Sequence, residues 1–558
     1  MRKTGAQIIT ALLERQGIQI ATGIPGGCNL PLYDALRDSG IRHVLARHEQ
    51  GAGFIAQGMA RATGRAAVCL ATSGPGATNL LTAIADAKLD SVPLVAVTGQ
   101  VPTAMIGTDA FQEVDTFGLT LSITKHNFFV RSAAELLTVI PLAFSIAESG
   151  RPGPVVIDVP KDVQTEQVSF RAWPKPGRPT PPPACDPDAV RRLAGIIKGA
   201  SRPVLYIGGG IVAAGAADAL TAFARKNGIP VAPTLSGLGA FPPDDPLYLG
   251  MLGMHGARYT NLVLDEADLV LAFGVRFDDR ATGRTDDFCR RATIAHVDID
   301  AAEIGKNKPV DFSMVGDVGA ALRALTPLVH ATPRTQWNAR IADLRRAFPL
   351  RIPSGADPLQ PLRFIQSLSG LTDPDTIITT DVGQHQMWVA QAYPFRRPRT
   401  LQTSGGLGTM GFGLPAAIGA ALARPGARVV CLSGDGSFLM NIQELATLAE
   451  LDLDVTVLVM NNEHLGLVRQ QQELFYGARY HATKFEAAPD FVAIARGFGI
   501  RGYDLAEGRS PEEALGRALS GHGPCVVNIP VHYAEKVLPM VPPGKANHEM
   551  IGDGLACA

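Results

Sequence analysis

The chain has 558 residues, 46 % of them hydrophobic, enough apolar material for about three domains. Its 59 glycines and 41 prolines are spread along the chain, which excludes a collagen-like or disordered protein. Lys+Arg 51 balance Asp+Glu 52 with no basic block. The expected partners are therefore small molecules and other protein chains, with no nucleic acid and no membrane.

The opening MRKTGAQIITALLERQG starts basic and turns apolar, as an export signal does, but Glu14 and Arg15 interrupt the run. Ile8, Ile9, Leu12 and Leu13 recur at helical spacing and predict an amphipathic helix. Apolar runs then alternate with helical patterns: AAVCLA (66–71), PLVAVTG (93–99) and PVVIDVP (154–160). Residues 173–187, WPKPGRPTPPPACDP, are too proline-rich for a helix or central strand and read as a linker. The next segment holds PVLYIGGG (203–210) and LVLAFGV (269–275). After the helical stretch WNARIADLRRAF, a second break at 351–361 leads to TIITTD (376–381), RVVCLSGDG (428–436) and VTVLVMNN (455–462).

Residues 400–423 carry no charge and could span a bilayer, but six glycines and Pro415 suit a tight loop entering a buried helix. Runs of Val, Ile and Leu that end in Gly or Asp describe strands buried on both faces. The expected fold is α/β, with three doubly wound parallel-sheet domains at 1–172, 188–345 and 361–545 and a C-terminal tail at 546–558. Ligands of such sheets sit beyond the carboxyl ends of the strands. Seven scattered cysteines (Cys28, Cys69, Cys185, Cys289, Cys431, Cys525, Cys557) without a CxxC pair suit a reducing cytoplasm.

Three GxGxxG-like matches, at Gly51-Gly53-Ala56, Gly208-Gly210-Ala213 and Gly406-Gly408-Gly411, show how little that pattern specifies in a Gly-rich chain. The second follows a predicted strand, yet no acidic residue stands near position 230 to hold a ribose, so a nicotinamide site is not expected. The third segment is more specific. One strand ends in Gly434-Asp435-Gly436-Ser437 and leads into a helix with Asn441, Gln443 and Glu444; another ends in Asn461-Asn462. Asp435 or Asn462 alone reads as a turn residue. Together at neighbouring strand ends, a carboxylate and an amide oxygen make a half-shell for Mg²⁺, with glycines and a helix N-terminus for a diphosphate. In the first segment Glu49 opens a small-residue helix with almost no charge, so it is expected to face an interior, where a carboxyl can exchange protons near neutrality. The loop TSGPGATN (72–79) follows the next strand and can line the same cavity.

Together these features resemble the thiamine-diphosphate (ThDP) enzymes, whose metal–diphosphate signature is the GDG…NN spacing. More closely, the chain resembles the large, catalytic subunits of acetohydroxyacid (acetolactate) synthases nearly end to end. The matching stretches include IPGG (24–27), RHEQGAGFIAQGMARATG (47–64), GQVPTAMIGTDAFQEVDTFG (99–118), MLGMHG (251–256), FGVRFDDR (273–280), TTDVGQHQMW (379–388) and SGGLGTMGFGLPAA (404–417).

The resemblance implies a pyrimidine-binding first domain, an FAD-binding middle domain and a diphosphate-binding last domain, in a homodimer or tetramer that takes small 2-keto acids. It also implies a small regulatory subunit as partner. Glu49 would protonate the pyrimidine ring, while Asp435, Asn462 and the main-chain carbonyl of His464 would hold Mg²⁺. Gly383, His385, Gln386, Gly408, Met410, Gly434, Gly436 and Ser437 would contact ThDP, with Met410 bending it. Gly27, Gln112 and Lys161 would line the substrate side. FAD, regarded as structural in this family, would take Arg151, Gly208, Gly209, Thr234, Leu235, Met254, His255, Gly274, Arg276, Asp278, Arg280, Asp298 and Asp317. Arg280 would also face the carboxylate of the second keto acid.

Two positions depart from the commonest pattern. Gln471 stands where many biosynthetic members carry Trp, which predicts a weaker preference for 2-ketobutyrate, as in the enteric isozyme I type. Cys28 replaces a usual Ala or Ser beside Gly27 and reads as a packing residue. The rival readings are an FAD-dependent pyruvate oxidase, a flavin-free catabolic acetolactate synthase and a non-catalytic homologue. The MLGMHG and FGVRFDDR stretches weigh against the first two, and intact Glu49, Asp435 and Asn462 weigh against the third.

Overall fold

The structure is a computed structural model that describes residues 1–330, 332–352, 357–507 and 510–552. The expected amphipathic helix runs Gly5–Arg15, capped by Thr4, with Ile8, Ile9, Leu12 and Leu13 all buried. Two short strands absent from the sequence reading, β1 (Arg2–Thr4) and β8 (Gln167–Ser169), pair antiparallel and tie the start of the chain to the end of the first segment. Three residues are too few for an alternation to be recognised.

Between them lie β2 (Ile20–Gly23), β3 (Arg42–Leu45), β4 (Ala67–Ala71), β5 (Leu94–Gln100), β6 (His126–Phe129) and β7 (Pro154–Pro160). They form one parallel sheet in the order β3-β2-β4-β5-β7-β6. The proline-rich residues 173–186 carry neither helix nor strand, and Asp186 then caps the helix Pro187–Gly199. A second parallel sheet, in the order β10-β9-β11-β12-β13, is built from β9 (Pro203–Ile207), β10 (Val231–Pro233), β11 (Leu269–Phe273), β12 (Thr293–Asp298) and β13 (Phe312–Val315). Of the second break, residues 353–356 lie outside the described residues, as do 553–558 of the tail, with Cys557.

The third segment supplies β14 (Ile377–Thr380), β15 (Leu401–Gln402), β16 (Val429–Gly434), β17 (Val455–Asn461), β18 (Arg501–Asp504) and β19 (Cys525–Pro530). These are again all parallel, in the order β15-β14-β16-β17-β19-β18. The three sheets with flanking helices are the α/β architecture read from the sequence. Among the described residues no helix is long and apolar enough to cross a membrane. The uncharged stretch 400–423 is instead a loop followed by the buried helix Gly413–Ala423.

That helix packs against Glu49–Thr63, the helix that starts with Glu49. A Cβ on Gly58 would stand 2.2 Å from the Ala416 carbonyl oxygen, and one on Gly419 would stand 2.0 Å from that of Ile55. Only hydrogen at these positions lets the two backbones touch, so the first and third segments share a core. Phe54 and Phe412 close it edge to face at 5.3 Å between centroids, a pair worth about 1 kcal/mol beyond its buried area.

Candidate active site

β16 and β17 run side by side in parallel register, with Gly434 opposite Met460. Asp435 follows the first strand and Asn462 the second, so both emerge at one edge of the sheet. The expected helix after Asp435 is broken: Asp435–Leu439 stops and Glu444–Leu451 begins afresh. In the gap, the Asn441 amide donates to the Gly411 carbonyl at 2.8 Å and accepts from Gln443 Nε2 at 2.9 Å. A side chain so engaged ties the gap to the Met410 loop.

Asp435 and Asn462 line one cleft with Gly383, His385, Met410, Gly434, Gly436, Ser437 and His464. Gln386 is buried nearby, its amide donating to Thr403 Oγ1 at 2.7 Å and to the Ser404 carbonyl at 3.2 Å. Gly408 adopts φ +71°, a conformation that favours glycine. Helix Gln384–Ala392 begins at the cleft, which Gly383, Gln384 and His385 line.

Two buried polar atoms of the cleft lack a hydrogen-bond partner, Asp435 Oδ2 and His385 Nε2. Burial pushes the Asp435 carboxyl up to about 6, opposed by the amides of Gly436, Glu463, Asn462 and His464. Burial also takes His385 down to about 3, which keeps its imidazole neutral. A buried carboxylate with an unpartnered oxygen is the kind of donor a hard cation completes. The left-handed Glu463 (φ +57°) turns the chain between Asn462 and His464.

Two residues of this edge escaped the sequence reading. Gln384 Oε1 accepts from Asn462 Nδ2 at 3.1 Å, leaving the Asn462 oxygen as the acceptor end. Asp381, fully buried, accepts from the Gly411 amide at 2.7 Å and from Ser433 Oγ at 3.0 Å, so one carboxylate braces both the Met410 loop and the Asp435 strand. TTDVGQHQMW contains both, but nothing in spacing distinguishes a bracing Asp or Gln from an exposed one.

Glu49 lies at the carboxyl edge of the first sheet and is half-buried rather than enclosed. Asn79 donates to its Oε2 at 2.9 Å, and Gly76 approaches its Oε1, so the TSGPGATN loop does meet it. Glu444 of the third segment accepts from the Arg47 amide at 2.9 Å and the His48 amide at 3.1 Å, fixing the turn before Glu49. Gln112, at φ +61°, packs on Gly74 of the same loop. Gly27 and Lys161 follow β2 and β7 at that edge, and the Cys28 amide donates to Thr72 Oγ1 at 3.2 Å. None of these residues lines the cleft, whose walls all come from Val382–Val531. Gln471 sits on the helix Gly466–Phe475 one turn beyond Leu467 and Val468, which do line it.

The remaining candidates collect at the carboxyl edge of the middle sheet. Gly208 and Gly209 follow β9, Thr234 and Leu235 β10, Gly274, Arg276, Asp278 and Arg280 β11, and Asp317 β13, while Asp298 is the last residue of β12. A Cβ on Gly210 would meet the Gly274 Cα at 2.5 Å, so the two loops touch through bare backbone. Asp278 and Asp317 cap helices, accepting from Ala281 and Ala320 amides. Arg280 is exposed and reaches Met254 Sδ at 3.7 Å. Arg151 crosses from the first segment to Glu303 Oε1 at 2.5 Å, and Glu303 Oε2 and His255 Nδ1 are buried without partners. Burial lowers His255 to about 4 and raises Asp298 to about 6.

Comparison with known proteins agrees with this architecture. The thiamine pyrophosphate enzyme N-terminal TPP binding domain matches residues 3–119, the central domain 190–325 and the C-terminal TPP binding domain 381–529. The acetolactate synthase isozyme 1 large subunit of Escherichia coli (strain K12) is 55 % identical over 553 residues, covering 99 % of this chain and 98 % of the relative. The chain belongs to the acetolactate synthase large-subunit family. The isozyme 2 large subunit of the same organism is 46 % identical over 98 % of this chain and 99 % of its own length. A chloroplastic acetolactate synthase 1 of Zea mays is 48 % identical over 99 % and 89 % respectively. As a member, the chain is a ThDP-dependent acetolactate synthase, and these likenesses fit neither the oxidase nor the flavin-free catabolic reading.

Proposed function

We propose that the chain decarboxylates pyruvate and joins the two-carbon unit to a second pyruvate, giving 2-acetolactate, or to 2-ketobutyrate, giving 2-aceto-2-hydroxybutyrate, for branched-chain amino acid synthesis. The observation that carries this reading is the emergence of Asp435 and Asn462 from paired strands into one cleft with His385 and Met410. When bound, ThDP supplies the electron sink for decarboxylation. Asp435, Asn462 and the His464 carbonyl hold Mg²⁺ in this reading, and the unpartnered Asp435 Oδ2 fits that donor set. Gly383, His385, Gln386, Gly408, Gly434, Gly436 and Ser437 would cradle the diphosphate side, and Met410, on the same cleft, would contact the cofactor.

Glu49, oriented by Asn79, would hold the proton that the pyrimidine ring of the cofactor exchanges. Gly27, Gln112 and Lys161 shape the substrate side, and the guanidinium of Arg280 pairs with the acceptor carboxylate. The edge of the middle sheet takes FAD, consistent with the Gly210–Gly274 approach and the unpartnered His255 and Glu303 atoms. The domains then run 1–172 for the pyrimidine, 188–345 for FAD and 361–545 for the diphosphate, before the tail 546–558. The separation of the Glu49 edge from the cleft supports a homodimer or tetramer in which one copy completes the site of another. The relatives' designation as large subunits supports a small regulatory partner. Six free cysteines among the described residues suit the cytoplasm.

The test supplies ThDP, Mg²⁺, FAD and equimolar pyruvate and 2-ketobutyrate, then quantifies both acetohydroxyacids. Formation of both supports the synthase, and comparable amounts also support the role given to Gln471. Acetate or peroxide with neither acetohydroxyacid sinks it.

A further inference from the structure

The loop that carries Met410 is an unusual object to build a cofactor contact on. Residues 405–408 are exposed, and three of the four are glycine, the residue with the most backbone freedom. What holds the loop comes from the first segment.

Asp86 lies in the last turn of the helix Pro75–Leu89, and Asp90, four residues on, is the residue that caps its C-terminus. Asp86, wholly buried, accepts at Oδ1 from the hydroxyls of Ser404 and, at 3.2 Å, Thr409, the two ends of the turn. The Ser404 hydroxyl in turn accepts from the Thr409 amide at 2.8 Å. Asp90 accepts from the Gly405 amide at 3.0 Å and the Gly406 amide at 2.7 Å. A Cβ on Gly406 would stand 2.9 Å from Asp90 Oδ1, so the glycine lets that carboxylate in. Arg61 ties the set together, reaching Asp86 at 3.1 Å, Asp90 at 2.9 Å and the Thr403 carbonyl at 3.0 Å.

We infer that Asp86, with Asp90 and Arg61, is a positioning residue for the cofactor: it fixes the 404–409 turn so that Met410 meets ThDP in one place. The inference rests on the reading of the cleft as the ThDP site. Stability alone does not explain the arrangement. Two carboxylates against one guanidinium leave a net negative charge in a buried contact, where apolar residues would serve cohesion as well or better. Asp86 also stands seven residues, about 10 Å of helix, from Asn79, the residue that holds Glu49. One rigid helix therefore sets both the glutamate and the turn.

The test titrates ThDP into the full-length chain with Mg²⁺ and FAD present, following tryptophan fluorescence, since Trp388 lines the cleft. The variants are Asp86→Asn, Thr409→Val, Thr409→Ser and the Asp86→Asn/Thr409→Val double. Asp86→Asn is expected to raise the ThDP dissociation constant about tenfold or more, because it removes a charge-assisted acceptor. Thr409→Val raises it about fivefold, as loss of one ordinary hydrogen bond does, and Thr409→Ser, which keeps the hydroxyl, stays within about twofold of the unmodified chain. The double variant binds no more weakly than Asp86→Asn, since the hydroxyl's partner is already altered.

A dissociation constant unchanged in Asp86→Asn, with only the melting temperature lowered, makes the cluster a plain interdomain tie and overturns the inference. So does equal weakening by Thr409→Ser and Thr409→Val. If Asp86→Asn fails to fold, the Thr409 pair decides: binding by Thr409→Val as tight as the unmodified chain's overturns it. An unmodified chain without saturable ThDP binding brings down the cofactor reading itself, and the inference with it.

Discussion

Gln384 holds Asn462 by the amide, its Oε1 accepting from Asn462 Nδ2 at 3.1 Å while its own Nε2 donates to Gln470 Oε1 at 3.1 Å and to the Glu535 carbonyl at 2.8 Å. A Cβ on Gly466 would collide with both side chains of the Gln384–Asn462 pair, so that glycine clears the space they occupy. The result is an Asn462 oxygen that is always the acceptor end. Gln384→Ala should raise the Mg²⁺ concentration for half-activation about 10- to 100-fold, as loss of a partner that orients a ligand does. Titrating Mg²⁺ into metal-stripped enzyme checks this, and an unchanged activation curve would show that Asn462 needs no such partner.

Glu49→Gln keeps an oxygen for Asn79 and removes the titratable proton. Turnover should fall by about 100-fold or more with the melting temperature nearly unchanged. Steady-state kinetics at saturating ThDP measures it. Unchanged turnover would take the proton-transfer role away from Glu49.

Gln471→Trp should raise the preference for 2-ketobutyrate over pyruvate as acceptor about tenfold. An added methylene contact is worth about 1–3 kcal/mol. The competition assay on mixed keto acids reads it directly. A product ratio equal to that of the unmodified chain would mean that Gln471, though one turn from Leu467 and Val468, does not meet the acceptor.

Asp158, at the carboxyl end of β7, is buried and accepts from Thr98 Oγ1 at 2.6 Å and Gln100 Nε2 at 3.1 Å. Burial raises its carboxyl from the ordinary 3.8 to about 7. The folded chain therefore binds this proton more tightly than the unfolded chain. The stability it contributes is full below pH 4 and lost as pH rises towards 7. Asp158→Asn can keep both hydrogen bonds by donating to Thr98 and accepting from Gln100. Thermal melts from pH 5 to 8 should show the unmodified chain losing stability relative to the variant as pH rises. Parallel curves would refute the assignment.

Much of the fold was legible because buried parallel strands announce themselves. The apolar parts of AAVCLA, PVLYIGGG and RVVCLSGDG became β4, β9 and β16. The pair Asp435 and Asn462 was legible for the same reason, since each directly follows a strand. The unbroken helix expected after Asp435 was not observed, because Asn441 spends its side chain on the Gly411 carbonyl, a partner thirty residues away that no local pattern reveals. Asp381, Gln384 and Asp86 were unreadable as bracing residues for a like reason. Their meaning lies in hydrogen bonds to distant loops.

The sequence by itself determined the alternation of strand and helix, the residues at the strand ends and the family, because these depend on local hydrophobic pattern and on the order of motifs. Tertiary structure decided the strand order within each sheet, and so that Glu49 lies at the edge of another sheet than the one whose cleft holds Asp435 and Asn462. It also decided that Gly58 and Gly419 press two helices into contact and that Asp86 reaches Ser404. Backbone approach and long-range hydrogen bonding are properties of packed surfaces, and a packed surface is assembled from residues that the chain keeps hundreds of positions apart.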